Sequence, residues 1–395
     1  MTKPLEISEN GELDATVIST LVQKKLKRVR LKTLSEKQGG LSGDFFKVEC
    51  EELDGKTMML VLKKTGKGKE AHAIALGTAR EGKFFENFGD DTFISSVIPK
   101  CYFSYGDLAS GIKQVLMKFE EGVPAGIYFG KGNPNNWAIT DDEMATMNKN
   151  GKTPLEASEC TFKLYARLHS RYWMDASMLS HEWLRGAEWI RGKGRDAWEK
   201  AQQLSADAWN ELKSKENEKI FSSIFIDSHL IACLDASFNK CYWDSFQTEL
   251  QQRPWTLVQS DAHPHNVLHI RNEEDRFILI DFEMVGIGSC AQELGQFLIS
   301  HAEPQFRRLH EYQLVTNYHN DLLIALTDSG HKHVSYDFSA CWSEYINGGA
   351  GRWIWFVPYL AKVCPLDMAI FFHNQLAAFL KDHFPRPEDV PMPRV

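Results

Sequence analysis

The chain has 395 residues and a formal net charge of −8, with 45 basic and 53 acidic side chains. A hydrophobic content of 43% is enough to build a core, which argues against intrinsic disorder, and the negative balance argues against a nucleic-acid-binding protein. The length predicts two or three domains, or two lobes around a cleft.

The eight cysteines are scattered along the chain and form no C-x-x-C pair, which is typical of a protein from a reducing compartment. Residues 1–14 are polar and acidic, and no run of about 18 apolar residues follows. We therefore expect a cytoplasmic protein that is not associated with a membrane.

The amino-terminal third alternates between predicted helices and short strands. An amphipathic helix is predicted over residues 14–26, followed by strands at 45–50 and 57–64. Asp54-Gly55 between these two strands is a strong hairpin signal.

Residues 69–88 are predicted to form one helix, because side chains on one face recur in steps of four and three. That face carries Ile74, Thr78, Glu81, Phe85 and Phe88. Glu81 therefore lies in an otherwise apolar seam, where a buried carboxylate needs a partner or a route to water.

Two further strands are predicted at 97–104 and 112–119, and the Gly/Pro-rich stretch 120–126 is typical of a connection between lobes. Helical patterns dominate from Thr153, which starts a capping box with Glu156.

Near the carboxyl end, residues 348–351 predict a bend ahead of aromatic side chains. Those side chains can form core or line a pocket for an apolar or cationic molecule.

Polar residues gather between predicted strands at 255–259, 266–270 and 277–280. If the ends of these strands meet, Asp261, Asn266 and Asp281 come within reach of one metal ion. Two carboxylates and an amide oxygen are hard ligands of the kind that Mg²⁺ accepts, and an ionised aspartate on the loop can manage the proton of an acceptor hydroxyl. The spacing follows the logic of kinase catalytic loops.

Four segments carry a family resemblance. Residues 258–268, VQSDAHPHNVL, resemble the H-G-D-x-H-x-x-N signature of the aminoglycoside-phosphotransferase and choline-kinase-like superfamily, and residues 280–283, IDFE, resemble its D-[FW]-[EQ] element. Residues 166–173 and 80–85 are similar to two helices of its ecdysteroid-kinase-like branch. The resemblance implies an α+β, protein-kinase-like bilobal fold. In it, residues 1–119 would form an N-lobe of antiparallel sheet plus helix, and residues 120–395 a mostly helical C-lobe.

The resemblance also implies roles for single residues. Asp261 matches the catalytic base, while Asn266 and Asp281 match the residues that hold Mg²⁺. Lys63 matches the strand lysine that contacts the phosphates of ATP, and Glu81 matches the glutamate that pairs with that lysine.

Two other parts of the ATP site are expected near the amino terminus. Lys64 points to the opposite face of the strand from Lys63, so only one of the two can enter the cleft, and we favour Lys63. Glycine-rich residues are expected to cover the phosphates, where missing side chains let backbone N–H groups approach. These residues are Gly39, Gly40, Ser42 and Gly43.

The chain departs from the family pattern at several positions. Gln259 and Ser260 replace the usual His and Gly before the aspartate, and Glu293 replaces the Asp of D-L-A. Residues 118–120, Lys-Phe-Glu, replace the usual hinge sequence. Because each core position keeps its chemical type, we favour an active enzyme.

The sequence therefore predicts an ATP- and Mg²⁺-dependent phosphotransferase that acts on a hydroxyl group of a small molecule, such as a bulky, partly apolar or cationic metabolite. One alternative is a nucleotide-binding pseudokinase. Another is a metal-dependent hydrolase whose ligands are Asp261, His263, His265 and Asp281, since an H-x-H pair beside carboxylates can hold a transition metal.

Overall fold

A computed structural model describes residues 3–33, 43–272, 275–331 and 334–395. The strands are β1 (Leu26–Thr33), β2 (Gly43–Glu52), β3 (Thr57–Thr65), β4 (Cys101–Asp107), β5 (Ile112–Lys118), β6 (Gly122–Pro124), β7 (Thr256–Val258), β8 (Val267–Ile270), β9 (Arg276–Leu279) and β10 (Gly286–Gly288).

The helices of the amino-terminal half are α1 (Ala15–Val22), α2 (Glu70–Leu76), α3 (Arg80–Phe88), α4 (Asp141–Asn148), α5 (Pro154–Arg171), α6 (Ala187–Ile190) and α7 (Arg195–Leu212). Those that follow are α8 (Glu218–Ile224), α9 (Ser228–Phe238), α10 (Trp243–Gln251), α11 (Cys290–His301), α12 (Pro304–Asp328), α13 (Phe338–Val363) and α14 (Leu366–His383).

The chain forms two compact units. The first consists of Met1–Val123 with Leu268–Val285, and the second consists of Pro124–Val267 with Gly286–Val395. The predicted lobe boundary after residue 119 stays a prediction. The first unit differs from the predicted N-lobe in that it also contains Leu268–Val285. That segment belongs there because β8 lies between β6 and β9 in one sheet, and the Leu279 N–H donates to the Val97 carbonyl oxygen at 2.8 Å.

A five-stranded antiparallel sheet in the order β1-β2-β3-β5-β4 dominates the first unit. The predicted hairpin is confirmed: β2 and β3 pair across the turn at Asp54-Gly55, where Gly55 has a φ of 85°. Alternate side chains of these strands, such as Val48, Leu60 and Leu62, are fully buried and form a core with α1.

The single helix predicted over residues 69–88 is wrong, since the structure has α2 and α3 with a break between them. Gly77 ends α2 in the left-handed region with a φ of 70°, and its missing side chain leaves room for the Arg80 guanidinium. Because of this break Ile74 is 48% exposed, whereas Glu81, Phe85 and Phe88 on α3 are buried as expected.

The described residues of the second unit are mostly helical. Its α5 begins with the predicted capping box, in which the Glu156 N–H donates to the Thr153 hydroxyl. The bend predicted at 348–351 is wrong: these residues lie inside the continuous helix α13. Glycines there serve close helix packing, since a side-chain carbon on Gly295 of α11 would lie 2.7 Å from the Cα of Gly349.

Helix α13 carries two of the aromatic side chains that the sequence left open between core and pocket. Trp353 and Trp355 are each 4% exposed, and their indole N–H groups donate to the carbonyl oxygens of Gln296 and Ala201. These two tryptophans therefore belong to the core. None of the helices among the described residues combines the length and the apolar character needed to cross a membrane.

Candidate functional site

Strand β3 directs one of its two adjacent lysines inward. Lys63 is 2% exposed, whereas Lys64 is partly exposed and lies over the ring of Phe46, with Nζ 5.7 Å from the ring centre. The alternation of side chains along a strand requires this difference. Lys63, which we favoured as the lysine of the ATP site, is thus the buried one.

Helix α3 supplies the carboxylate that meets Lys63. The Lys63 Nζ lies 2.8 Å from Glu81 Oε2, and both side chains are almost fully buried. The Phe282 N–H donates to the other oxygen, Glu81 Oε1, at 3.2 Å. The carboxylate in the apolar seam of the sequence therefore has the lysine partner that was predicted for it.

The residues after β9 complete this cluster within the first unit. Lys63 Nζ lies 2.9 Å from Asp281 Oδ1 and 2.9 Å from Glu283 Oε1. Between them, the Phe282 ring stacks on Phe84 with 4.0 Å between ring centres. One oxygen from each of Glu81, Asp281 and Glu283 lies within 4.8 Å of the other two, so three carboxylates surround one ammonium group.

Sequence reasoning missed a second lysine in the cluster. Lys113 on β5 is fully buried, its Nζ lies 2.7 Å from Glu81 Oε2, and it also contacts Glu283. Strand alternation could not have found it, because this strand is buried on both faces: Gln114, Val115 and Leu116 are buried as well. We name Lys63, Lys113, Glu81, Asp281 and Glu283 the lysine–carboxylate cluster.

Charge pairing sets the ionisation of this cluster. Burial alone would lower the pKa of Lys63, but Asp281, Glu283 and Glu81 raise it well above its usual value. Burial would raise the pKa of Glu81, but Lys113 and Lys63 outweigh it and lower that pKa. Burial raises the pKa of Asp281 to about 7, and Glu283 and Glu81 add to this rise against the opposing effect of Lys63.

Asp281 is the member of the cluster that reaches solvent. Its side chain is 27% exposed, compared with 1% for Glu81 and 10% for Glu283. Asp281 also has a φ of 64°, in the left-handed region that Asp tolerates better than most residues. Its carboxylate is a hard oxygen donor, which fits the Mg²⁺ that the resemblance implies.

In the second unit, Asp261 and Asn266 are brought together on the loop that follows β7. The Asn266 Nδ2 donates to the Asp261 carbonyl oxygen at 2.9 Å and to Asp261 Oδ2 at 3.1 Å. These bonds engage the amide nitrogen and leave Oδ1 as the atom of Asn266 suited to a hard cation. The predicted convergence of Asn266 with Asp281, which belongs to the first unit, stays a prediction.

Glu293 holds the start of this loop. It is 1% exposed and accepts hydrogen bonds from the backbone N–H groups of Gln259 at 3.1 Å and Ser260 at 2.6 Å. The His169 Nε2 lies 2.8 Å from Glu293 Oε2, and His169 Nδ1 lies 2.8 Å from the Tyr318 hydroxyl. A carboxylate requires a donor, so Nε2 carries the proton and the tyrosine hydroxyl donates to Nδ1.

Three of the departures from the family pattern contact one another. Gln259 and Ser260 donate to Glu293, and the Tyr165 hydroxyl donates to Gln259 Oε1 at 2.7 Å. Ser260 has a φ of 64°, a conformation that glycine adopts at lower cost, which explains why the family has Gly there. The Ser260 carbonyl oxygen accepts from Arg352 Nη2 at 3.3 Å. The backbone at Gln259 and Ser260 is therefore hydrogen-bonded despite the substitutions.

The remaining predicted residues have other placements. Gly39, Gly40 and Ser42 lie outside the described residues. Gly43 begins β2, and a side-chain carbon there would lie 2.9 Å from the Lys64 carbonyl oxygen, so pairing with β3 already explains the glycine. Its contact with phosphates stays a prediction.

The chain is similar to known proteins in a family profile and in solved structures. A profile of the ecdysteroid kinase-like family matches residues 176–331, and no curated protein matches this sequence. The chain is similar to choline kinase from Cryptosporidium parvum Iowa II at 11% identity, covering 93% of this chain and 95% of that one with a TM-score of 0.53. It is also similar to ethanolamine kinase from Plasmodium vivax at 11% identity, covering 92% and 83% with a TM-score of 0.44.

These matches bear on two predictions. The family profile confirms the predicted resemblance to the ecdysteroid-kinase-like branch. The likeness to the choline kinase confirms the α+β, protein-kinase-like fold, with an antiparallel amino-terminal sheet and a mostly helical remainder.

Proposed function

We propose that this protein transfers a phosphoryl group from ATP to a hydroxyl group of a small molecule. The observation that carries the proposal is the buried lysine–carboxylate cluster, in which Lys63 contacts Glu81 on a helix and Asp281 after a strand. Protein kinases need this combination of strand lysine, helix glutamate and metal-binding aspartate to position the phosphates. The family profile and the similarity to choline kinase support the same reaction class.

Each residue has a distinct task in this proposal. Lys63 binds the phosphates of ATP, and Glu81 holds its ammonium group in place. Asn266 and Asp281 would hold Mg²⁺, which neutralises phosphate charge when bound. Asp261 accepts a hydrogen bond from the acceptor hydroxyl and takes its proton; its side chain is 36% exposed, so a substrate can reach it.

Two variants test these tasks. Asp261→Asn should still bind ATP but lower the rate of phosphate transfer by about 10²- to 10⁴-fold, the usual effect of removing a general base. Asp281→Asn should weaken binding of ATP in the presence of Mg²⁺. Asp141→Asn is a matched control, because that side chain is 96% exposed at the start of α4.

The measurement combines calorimetry of ATP binding, with and without Mg²⁺, and mass spectrometry of phosphorylated products. The acceptor panel should hold choline, ethanolamine, an ecdysteroid and an aminoglycoside, because we propose a bulky, partly apolar or cationic acceptor. Unchanged transfer by Asp261→Asn would refute its role. Binding of ATP without transfer to any acceptor would favour the pseudokinase alternative, for which the substitutions at Gln259, Ser260 and Glu293 are the motivation.

A further inference from the structure

Three histidines lie together in the second unit. His263 and His265 belong to the loop after β7, and His301 is the last residue of α11. The ring centre of His301 lies 5.4 Å from that of His263 and 5.6 Å from that of His265. One nitrogen from each of the three rings lies within 4.8 Å of the other two. We name these residues the histidine cluster.

His301 is the most deeply buried member of the histidine cluster. It is 5% exposed, and neither of its ring nitrogens has a hydrogen-bond partner among the described residues. A buried polar group without a partner is unfavourable, and native structures contain few of them. A ligand that binds a ring nitrogen would remove this penalty.

His265 is oriented by an asparagine in the manner of a metal ligand. The Asn136 Nδ2 donates to the carbonyl oxygens of Gly126 at 2.9 Å and Gly130 at 2.8 Å, which fixes the amide orientation. Its Oδ1 therefore faces His265 Nε2 at 3.1 Å and selects the tautomer with a proton on Nε2. The lone pair is on Nδ1, which has a longer contact of 3.4 Å with Asn133 Nδ2. Metal-binding histidines often donate their second N–H to an oxygen in this way.

His263 contacts both His265 and Asp261. The His265 backbone N–H donates to the His263 Nδ1 lone pair at 3.2 Å, and a metal would take this lone pair in place of the hydrogen bond. The proton of the neutral ring is therefore on Nε2, which lies 3.8 Å from Asp261 Oδ2. That separation is too long for a hydrogen bond.

We propose that His263, His265 and His301 form a binding site for a transition-metal ion of the Zn²⁺ type. Three imidazoles are the ligand set of open zinc sites, in which water or another group takes the fourth position, whereas Mg²⁺ prefers oxygen ligands. The site differs from the hydrolase alternative, which combined His263 and His265 with carboxylates. It uses none of the residues that have a task in the proposed phosphotransferase, so the proposal stands independently of that function.

The test uses the full chain, freed of metal with a chelator and titrated with Co²⁺, whose visible spectrum reports tetrahedral nitrogen ligands. We expect one Co²⁺ per chain, displacement by Zn²⁺, and no displacement by a thousandfold excess of Mg²⁺. His301→Gln and His265→Asn should each weaken Co²⁺ binding at least 100-fold. His72→Gln is the matched control, because His72 is exposed on α2.

Each outcome of the Co²⁺ titration supports or overturns the proposed metal site. Absence of the Co²⁺ spectrum with the wild-type chain would overturn the proposal, as would equal binding by all three variants. Displacement by Mg²⁺ would also overturn it, because it would assign the ion to carboxylates. If His301→Gln does not fold, a rise of the wild-type melting temperature with added Zn²⁺, lost in His265→Asn and retained in His72→Gln, still supports the site.

Discussion

Glu81 in the first unit and Glu293 in the second are both about 1% exposed, yet different partners stabilise the two carboxylates. Glu81 meets the ammonium groups of Lys63 and Lys113 at 2.8 and 2.7 Å. Glu293 accepts hydrogen bonds from two backbone N–H groups and from His169. One carboxylate is thus balanced by opposite charge and the other by oriented dipoles.

The difference shows what each carboxylate does for its surroundings. Ion pairs in the lysine–carboxylate cluster link β3, β5, α3 and the segment after β9, because each charged side chain is paired with side chains from the other elements. Hydrogen bonds from the Gln259 and Ser260 N–H groups instead fix the backbone just before Asp261. The first arrangement sets side-chain charges, and the second sets the conformation of a loop.

The largest effect is expected when the charge balance of the first unit is broken. Lys113→Met leaves three carboxylates facing the single ammonium group of Lys63, so we expect the free energy of unfolding to fall by about 3–5 kcal/mol. Urea denaturation of the full chain measures this. The matched control is Lys64→Met, on the partly exposed face of the same sheet, where a change below about 0.5 kcal/mol is expected.

A second substitution separates charge balance from packing. Combining Lys113→Met with Glu283→Gln removes one charge of each sign, and we expect the double variant to recover part of the lost stability. If the two losses simply add, Lys113 and Glu283 do not interact energetically and the interpretation as a charge cluster is wrong.

A smaller effect is expected from Glu293→Gln in the second unit. The amide keeps one acceptor oxygen but turns an NH₂ group towards donors, so about 2–3 kcal/mol of stability should be lost. Hydrogen exchange of the peptide covering residues 255–262 should become faster, because two N–H groups lose a charged acceptor. Glu159→Gln, on the exposed face of α5, should change neither quantity. Unaltered exchange in Glu293→Gln would contradict a loop-fixing role.

The difference between the partners of Glu81 and those of Glu293 also decides how much of each region can be predicted from the sequence. Glu81 was predictable because helical periodicity placed a carboxylate in an apolar seam, and strand alternation separated Lys63 from Lys64. The Phe282 N–H that also binds Glu81 was not predictable, because a backbone group has no mark in the sequence.

Glu293 shows the limit more clearly. From the sequence it was only a departure from the family pattern, and its three partners come from distant parts of the chain, two of them through the backbone. The break between α2 and α3 was missed for a related reason. A glycine inside an amphipathic pattern is compatible with a continuous helix, and only the left-handed φ of Gly77 ends it.

The smallest expected effect concerns the strained residue of the loop itself. Ser260 has a φ of 64°, and a side chain in the left-handed region costs about 1–2 kcal/mol of stability. A glycine would avoid this cost, but its greater conformational freedom in the unfolded chain would offset part of the gain. Ser260→Gly should therefore raise the free energy of unfolding by about 0.5 kcal/mol, the balance of these two terms. Glu293 binds only the backbone of this residue, so its hydrogen bond is retained.

Ser214→Gly is the comparison, because Ser214 has an ordinary φ of −69°, so its replacement relieves no strain. The glycine adds an entropic disadvantage and loses the hydrogen bond that Asn217 Nδ2 donates to the Ser214 hydroxyl at 3.4 Å. The stability of Ser214→Gly should fall by a few tenths of a kcal/mol to about 1 kcal/mol. Parallel urea titrations of the two variants give the comparison directly. Equal losses in both would mean that the loop conformation at Ser260 carries no strain, and that the glycine of the family pattern has a different cause.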